Sequence, residues 1–240
     1  MFGALTPITK NLIILNVVVF VLSFFVPYLY LILPAYFPYS PNFRSWQVVT
    51  HMFMHGGIAH IVFNMLTLWS FGPVLEQVLR GKRFVILYFL SGLGGFLLYN
   101  LCYGFEVFQI TSQMSIEQVQ EVSANANLYA PDGTFSGYPK GSNEYYLLNS
   151  LVSRMLGVSG AIFGVVAAFS ALFPNSKLIF MFIPFPIKAK YLFPLIILGS
   201  VYLGINDTES NIAHFAHIGG AFVGFLLAKI WGKHLNRFYQ

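Results

Sequence analysis

Long apolar segments with almost no charged residues constrain this sequence more than any other feature. Only 9% of its 240 residues are charged, whereas a soluble domain carries about 25%. A helix that spans a bilayer needs about 20 mostly apolar residues. The candidate spans are residues 12–33, 58–79, 84–103, 159–173, 191–205 and 212–231. We therefore expect one all-α, polytopic membrane domain with six transmembrane helices.

The segments between these runs differ in polarity. Residues 42–57 are rich in aromatic and His side chains, which indicates an interfacial segment and not a span. Residues 104–149 are polar and contain a Pro-Asp-Gly sequence at 131–133, so we expect a long aqueous loop with a short amphipathic helix around 117–121. Residues 177–190 contain two prolines and resemble an interfacial hairpin.

Basic residues predict how the domain is oriented. With the N-terminus in the cytoplasm, all but three of the 13 Lys and Arg residues lie on the cytoplasmic side, and only Arg44, Lys140 and Arg154 lie outside. Such a bias marks cytoplasmic loops, so the net charge of +5 gives no reason to expect a nucleic-acid partner. We expect a multi-pass protein with both termini in the cytoplasm.

The first apolar run also bears on the location of the protein. It continues too long for a cleavable signal peptide and lacks a small-x-small cleavage site. We therefore expect it to be retained as the first span. The compact sequence without a transit peptide favours the inner membrane of a bacterial cell.

A serine stands between glycines where the fourth apolar run begins, in the sequence Gly157-Val-Ser159-Gly160. Glycine lets backbone and substrate approach closely, and the free N–H groups of a first helical turn can bind developing negative charge. Ser159 can therefore act as a nucleophile. The alternative is that Ser159 only caps a transmembrane helix, with Gly160 and Gly164 forming a packing face.

Other polar side chains occur inside the spans, where they are costly and usually functional. His60 and Asn64 are four residues apart and share one helix face. His214 and His217 share a face at the start of the sixth run. By the expected topology, all four lie near the external ends of their helices, as Ser159 does.

A Ser–His pair is a nucleophile with its general base, and donors on the second span suit an oxyanion hole. Glycine strips at Gly160/Gly164 and Gly220/Gly224 would let the fourth and sixth helices touch. Asp207 and Glu209 precede the sixth run, but their spacing does not favour either as a third member. We therefore expect a dyad and not a triad.

Together these motifs resemble those of the rhomboid intramembrane serine proteases. The matching pieces are His60-x-x-x-Asn64, Gly157-Val158-Ser159-Gly160 and Ala216-His217-Ile218-Gly219-Gly220, in the family's order on helices two, four and six. The resemblance covers nearly the whole chain and implies a rhomboid-like six-helix bundle. It implies Ser159 as nucleophile, His217 as general base, and His60 and Asn64, with the Ser159 N–H, as oxyanion donors.

The resemblance also implies a substrate class. The family cleaves transmembrane segments of membrane proteins near small residues, in helices that unwind easily, and uses no metal or other cofactor. Residues 46–57 correspond to its external membrane-embedded loop, and the fifth helix with the loop after it to its gate. The active site would open to the external, periplasmic face. Supporting positions are Gly157, Gly160, Phe163 and His214.

The sequence departs from the family pattern at two residue positions, and its third loop is longer than in minimal members. Where the external loop often begins with Trp-Arg, this chain has Trp46-Gln47, with an arginine at Arg44 instead. Where many members carry a Tyr that stacks on the catalytic histidine, this chain has Phe163. Phe keeps the ring face and loses the hydroxyl. Neither change removes a catalytic group, so activity is expected.

Two other functional classes stay open. A His-rich, metal-binding membrane transporter would use the histidines at 51, 55, 60, 214 and 217, but the sequence has no His-Glu-x-x-His motif. A pseudoprotease would bind transmembrane helices without cutting them, but such proteins usually lose the serine or the histidine. For His214, a structural hydrogen bond and a direct role are both possible. We expect His51 and His55 to be hydrogen-bonding loop residues and Cys102 to be inert.

Overall fold

The chain is mostly helical, as expected for an all-α membrane protein. A computed structural model describes residues 4–126, 137–178, 186–206 and 213–235. The helices are α1 Pro7–Phe25, α2 Leu29–Ile32, α3 Gln47–Thr50, α4 Ile58–Thr111, α5 Ile116–Ala126, α6 Asn143–Val152, α7 Ser159–Leu172, α8 Leu192–Asn206 and α9 Ala213–Leu235. Single 3₁₀ turns lie at His51–Phe53 and Ala189–Tyr191. The strands are β1 Ala35–Tyr36, β2 Arg154–Met155, β3 Lys177–Leu178 and β4 Ile187–Lys188.

Three helices of the described chain are long and apolar enough to cross a bilayer by length and composition. They lie at Pro7–Phe25, Ile58–Thr111 and His214–Lys233. The apolar helices at Ser159–Leu172 and Ala189–Tyr202 are shorter. At 1.5 Å per residue, α7 would extend about 21 Å, less than the roughly 30 Å hydrocarbon core. That the chain crosses the membrane six times therefore stays a prediction.

Helix α4 reverses direction at Arg80. This residue has φ 65° and ψ 158°, outside the helical region. Before it, the ring of Phe71 packs against that of Phe169 near the C-terminal end of α7. After it, Gly95 lies against Gly160 at the N-terminal end of α7. The two halves of α4 therefore run in opposite directions, as the separate spans expected at 58–79 and 84–103 would.

The first helix begins at Pro7 and ends at Phe25, so the span expected at 12–33 differs from α1 at both ends. At its C-terminal end the cause is Pro27, because a residue before proline is disfavoured in the α region. Val26 accordingly has φ −126° and ψ 78°. The chain then forms the short helix α2 before strand β1.

At the other end of α1, the carboxylate of Glu76 takes the place of a conventional cap. It accepts hydrogen bonds from the backbone N–H groups of Ile8, at 3.0 Å, and Thr9, at 2.8 Å. The hydroxyls of Thr6 and Thr9 also donate to it. Because the first N–H groups of a helix lack partners within the helix, Glu76 satisfies the start of α1 from another helix.

The expected polar loop at 104–149 is largely helical where it is described. Helix α4 continues past residue 103 to Thr111, and α5 and α6 pack against this extension around a small apolar core. The expected turn at 131–133 lies outside the described residues.

The polar residues that begin α5 and α6 are helix-start signals. The Ser115 N–H donates to the Gln118 side chain at 2.8 Å, and the Gln118 N–H donates to the Ser115 hydroxyl at 3.2 Å. This reciprocal pair is a capping box. Ser142 caps α6 with a single hydrogen bond, which its hydroxyl accepts from the Tyr145 N–H at 3.2 Å. At the start of α5, hydrogen bonds from the backbone N–H of Glu117 and from the Ser115 hydroxyl lower the pKa of the Glu117 carboxyl.

The hairpin expected at 177–190 is confirmed by the antiparallel pairing of β3 and β4, in which Lys177 lies opposite Lys188. Residues 179–185, between these strands, lie outside the described residues. The other strand pair, β1 with β2, joins distant parts of the chain. Ala35 pairs with Met155 and Tyr36 with Arg154. This pair links the segment after α2 to the segment that leads into α7.

Candidate active site

Glycine contacts hold α4, α7 and α9 together. A Cβ on Gly220 would overlap the carbonyl oxygen of Gly160, and one on Gly224 would overlap that of Gly164. A Cβ on Gly164 would in turn overlap the side chain of Ser91 on α4. The order of these contacts makes α9 run parallel to α7. The glycine strips expected in the fourth and sixth apolar runs therefore face each other at backbone contact.

Gly157, just before α7, is required for two separate reasons. Its φ of 119° lies in the region that L side chains rarely adopt. A Cβ at this position would also lie 2.7 Å from Cε1 of His60. Its N–H donates to the carbonyl oxygen of His51 at 3.0 Å. Gly157 thus joins the residues before α7 to the interfacial segment and leaves room for the His60 ring.

Ser159 and His217 meet across the glycine contact. Ser159 is the first residue of α7, and His217 lies one turn into α9. Nε2 of His217 is 3.0 Å from Oγ of Ser159. When the ring proton is on Nδ1, the hydroxyl donates to Nε2, which is the arrangement that a general base requires. Both residues are half-buried.

Two aromatic contacts hold the His217 ring. Phe163, one turn after Ser159, stacks on it with ring centroids 4.2 Å apart and an interplanar angle of 22°. His214 packs edge-to-face against the same ring at 5.9 Å. The stacking expected of Phe163 is therefore present without a hydroxyl. Within the described residues, no hydrogen bond joins His217 to a carboxylate, and Asp207 and Glu209 lie outside them.

His60 and Asn64 lie on the same side of the molecule as the Ser–His pair. The His60 ring contacts Gly157, two residues before Ser159. Asn64, one turn further along α4, is only 6% exposed. Its Nδ2 has no hydrogen-bond partner among the described residues. A buried amide donor without a partner is costly, so Asn64 is available to a group that enters the site.

The two loop histidines differ. Nδ1 of His51 lies 2.8 Å from the carbonyl oxygen of Gln47, so His51 forms the expected hydrogen bond within the loop. His55 is fully buried, its ring lies 5.2 Å from that of His60, and neither ring nitrogen has a partner among the described residues. In the part of the chain that is described, no three His, Cys, Asp or Glu residues form a group that could hold a metal ion.

Sequence reasoning missed the strand pair β1–β2, which ties the loop before α3 to the residues that lead into Ser159. Strands of two residues carry no periodic pattern, so no signal in the sequence points to them. It also missed Ser91, whose buried side chain fills the space beside Gly164. A single serine in an apolar helix does not reveal which neighbour it meets.

Most of the chain matches known proteins of one family. A family model described as the Rhomboid domain matches residues 42–109 and 107–234. An uncharacterized mitochondrial rhomboid protein of Schizosaccharomyces pombe is 25% identical over 206 residues, which cover 79% of this chain and 52% of that protein.

Two proteins of Bacillus subtilis are also similar. The rhomboid protease GluP is 27% identical over 187 residues, which cover 78% of this chain and 26% of GluP. The putative rhomboid protease YdcA is 25% identical over 207 residues, which cover 82% of this chain and 73% of YdcA. The chain thus spans only about half of the Schizosaccharomyces relative and about a quarter of GluP.

Proposed function

Because the chain belongs to the rhomboid family, we propose that it is an intramembrane serine endopeptidase with a Ser159–His217 dyad. The observation that carries the proposal is the distance of 3.0 Å between Nε2 of His217 and Oγ of Ser159. A nucleophile within hydrogen-bond reach of a base is the signature of covalent catalysis. The stacked Phe163 ring supports it by limiting the orientations open to the base.

In the proposed reaction, Oγ of Ser159 attacks the carbonyl carbon of the scissile peptide bond while His217 takes the hydroxyl proton. The negative charge on the carbonyl oxygen is held by the backbone N–H of Ser159 and by the side chains of His60 and Asn64. Return of the proton from His217 to the leaving nitrogen releases the amine product. Water then attacks the acyl ester and gives a proton to His217, and return of that proton to Oγ as the ester bond breaks frees the acid product and the serine.

The substrates proposed are membrane proteins whose transmembrane segment unwinds easily near small residues. A peptide bond inside a helix is shielded by its own backbone hydrogen bonds, so the segment has to unwind before Ser159 can reach it. The site needs no metal or other cofactor in this scheme. The proposed protein spans the inner membrane of the cell six times, with both termini in the cytoplasm. The active site at Ser159 would open to the external face.

Cleavage of a model transmembrane substrate in liposomes tests the proposal. Ser159→Ala and His217→Ala should each abolish cleavage, because each removes one member of the dyad. His60→Ala and Asn64→Ala should each lower kcat about 10-fold or more, as loss of an oxyanion donor does. Thermal unfolding of each variant provides the control for folding.

Retained turnover in either dyad variant would contradict the mechanism, and unchanged kcat in both His60→Ala and Asn64→Ala would remove these residues from the site. A chelator should leave the rate unchanged. Inhibition by the chelator that zinc reverses would favour the metal-binding alternative. A well-folded wild type that binds such substrates without cutting them would favour the pseudoprotease.

A further inference from the structure

An open cavity of about 470 Å³ lies beside the C-terminal end of α1, and nothing in the proposed reaction uses it. It is lined by Pro27, Tyr28, Tyr30, Leu31 and Arg154. Its volume is within the range of small-molecule sites, about 300–1,000 Å³. The lining residues are aromatic or aliphatic apart from Arg154, whose guanidinium bonds to the carbonyl of the lining residue Tyr30. The cavity is therefore suited to a ligand with both an anionic and an apolar part.

The guanidinium of Arg154 has unused hydrogen-bonding capacity. The strand pair β1–β2 places its backbone opposite Tyr36. One guanidinium nitrogen donates to the carbonyl oxygen of Tyr30 at 2.9 Å, and within the described residues no carboxylate forms an ion pair with Arg154. Arginine has five N–H donors in a planar fork that fits a phosphate. A half-buried cation with donors to spare attracts an anion.

The position of the cavity indicates which anion. The apolar helix α1 ends at Phe25, and Pro27 and Tyr28 follow directly at the cavity wall. The side chains of Phe24 and Phe25 are 61% and 78% exposed, and that of Tyr28 is 62% exposed. Tyrosine and arginine at the end of a spanning helix are typical of the headgroup level of a bilayer. Below that level, exposed Phe side chains face acyl chains.

We propose that this cavity binds the phosphate of an anionic phospholipid, with its acyl chains along the exposed surface of α1. The Arg154 guanidinium would hold the phosphate oxygens, and the Tyr28 ring would lie at the glycerol level. A lipid with net negative charge is preferred because no described carboxylate neutralises Arg154. The site does not depend on Ser159 or His217.

The test is native mass spectrometry of the purified full-length protein with phosphatidylglycerol or phosphatidylcholine added. Wild type should retain one phosphatidylglycerol molecule in preference to phosphatidylcholine, and Arg154→Gln should weaken that binding about 10-fold or more. Arg44→Gln is the matched control, because the Arg44 side chain is exposed and, within the described chain, its guanidinium bonds only to the Pro41 and Phe43 carbonyls of its own loop. It should bind as wild type does.

Two further variants keep the result interpretable if Arg154→Gln folds poorly. Arg154→Lys keeps the charge and loses the planar fork, so its binding should fall between those of wild type and Arg154→Gln. Tyr28→Leu removes an exposed cavity side chain and should weaken retention without lowering the unfolding temperature. A competition experiment adds a water-soluble anion, either inorganic phosphate or glycerol 3-phosphate. Neither should displace the lipid at equal concentration.

Equal retention of phosphatidylglycerol by Arg154→Gln and Arg44→Gln would overturn the proposal, as would equal retention of the two lipids by wild type. Displacement by glycerol 3-phosphate at equal concentration would overturn the lipid as the ligand. The same measurements in a Ser159→Ala background should give the same values. A failure of the peptidase proposal would therefore leave this result unchanged, and the converse also holds.

Discussion

At the scale of single residues, Gly157 connects backbone conformation to the candidate oxyanion side chain. Its positive φ and the 2.7 Å that would separate an added Cβ from Cε1 of His60 are two independent reasons for glycine. His60 could relieve that overlap only by moving. Any such movement would displace the side chain that we propose as an oxyanion donor.

We therefore expect Gly157→Ala to lower kcat about 10-fold or more, because displacement of an oxyanion donor costs transition-state stabilisation. The matched control is Gly104→Ala on α4, where an added Cβ would make only an ordinary contact of 3.7 Å with the Phe37 ring and alanine suits a helix. Turnover of both variants should be measured in liposomes beside their unfolding temperatures. Wild-type kcat in a folded Gly157→Ala protein would show that His60 does not need its present position.

The sequence predicts the residues of the candidate site better than it predicts their packing. Ser159, His217, His60 and Asn64 are conspicuous because polar groups are rare in apolar helices. The 3.0 Å approach of Ser159 to His217 could not be derived from spacing, since it depends on how α7 and α9 pack. The same limit applies to Arg154, which sequence analysis used only as a marker of the external side.

At the scale of elements, α1 owes its start to a residue on another helix. Glu76 accepts from two backbone N–H groups and two threonine hydroxyls at the beginning of α1. The sequence suggested Thr6 and Pro7 as a helix start, and α1 does begin at Pro7, but the Thr6 side chain makes no capping hydrogen bond. The partner is 67 positions away from Thr9, too far for a local motif to reveal.

Replacement of Glu76 by Gln should lower the free energy of unfolding by about 1–3 kcal/mol, because hydrogen bonds to a charged acceptor and a helix cap are each worth about that much. Glu106→Gln is the control, since it makes the same chemical change at an exposed side chain of α4 that accepts no hydrogen bond among the described residues. Reversible unfolding in mixed micelles measures the difference. Equal stability of the two variants would mean that Glu76 contributes no net capping.

Two elements have bounds that differ from those expected, each for its own physical reason. The span read as 12–33 ran through Pro27, where α1 has already ended, because hydropathy does not register a change of backbone direction. The loop read as 104–149 contains the end of α4, all of α5 and most of α6. Its polar composition hid a small core that includes Val122, Leu147 and Leu148. Short amphipathic helices bury few residues and therefore look polar on average.

At the scale of the whole molecule, the described contacts bring four helix segments together at one end. His60 and Gly157, then Gly95 and Gly160, then Ala216 and Gly160 are neighbours in space. The start of α4, the second half of α4, and the starts of α7 and α9 therefore meet on the same side. The helices and the family agree with the fold class read from the sequence. The orientation of this end in the membrane is a proposal from charge.

Cysteine accessibility tests that orientation. After replacement of the single Cys102 by Ser, Lys140→Cys should react with a membrane-impermeant maleimide from outside intact cells. Lys82→Cys should react only after permeabilisation, because Lys82 belongs to the basic side and follows the reversal at Arg80. Both lysines are exposed, so burial does not bias the comparison. The opposite labelling pattern would reverse the topology.

The central claim is that His217 activates Ser159, and labelling with a fluorophosphonate probe tests it most directly. The probe reacts with an activated serine hydroxyl, and its reaction requires no knowledge of the natural substrate. Wild type should be labelled at Ser159, whereas Ser159→Ala and His217→Ala should not be labelled although both remain folded. Labelling of His217→Ala at the wild-type rate, or no labelling of folded wild type by a series of probes of decreasing size, would contradict the account.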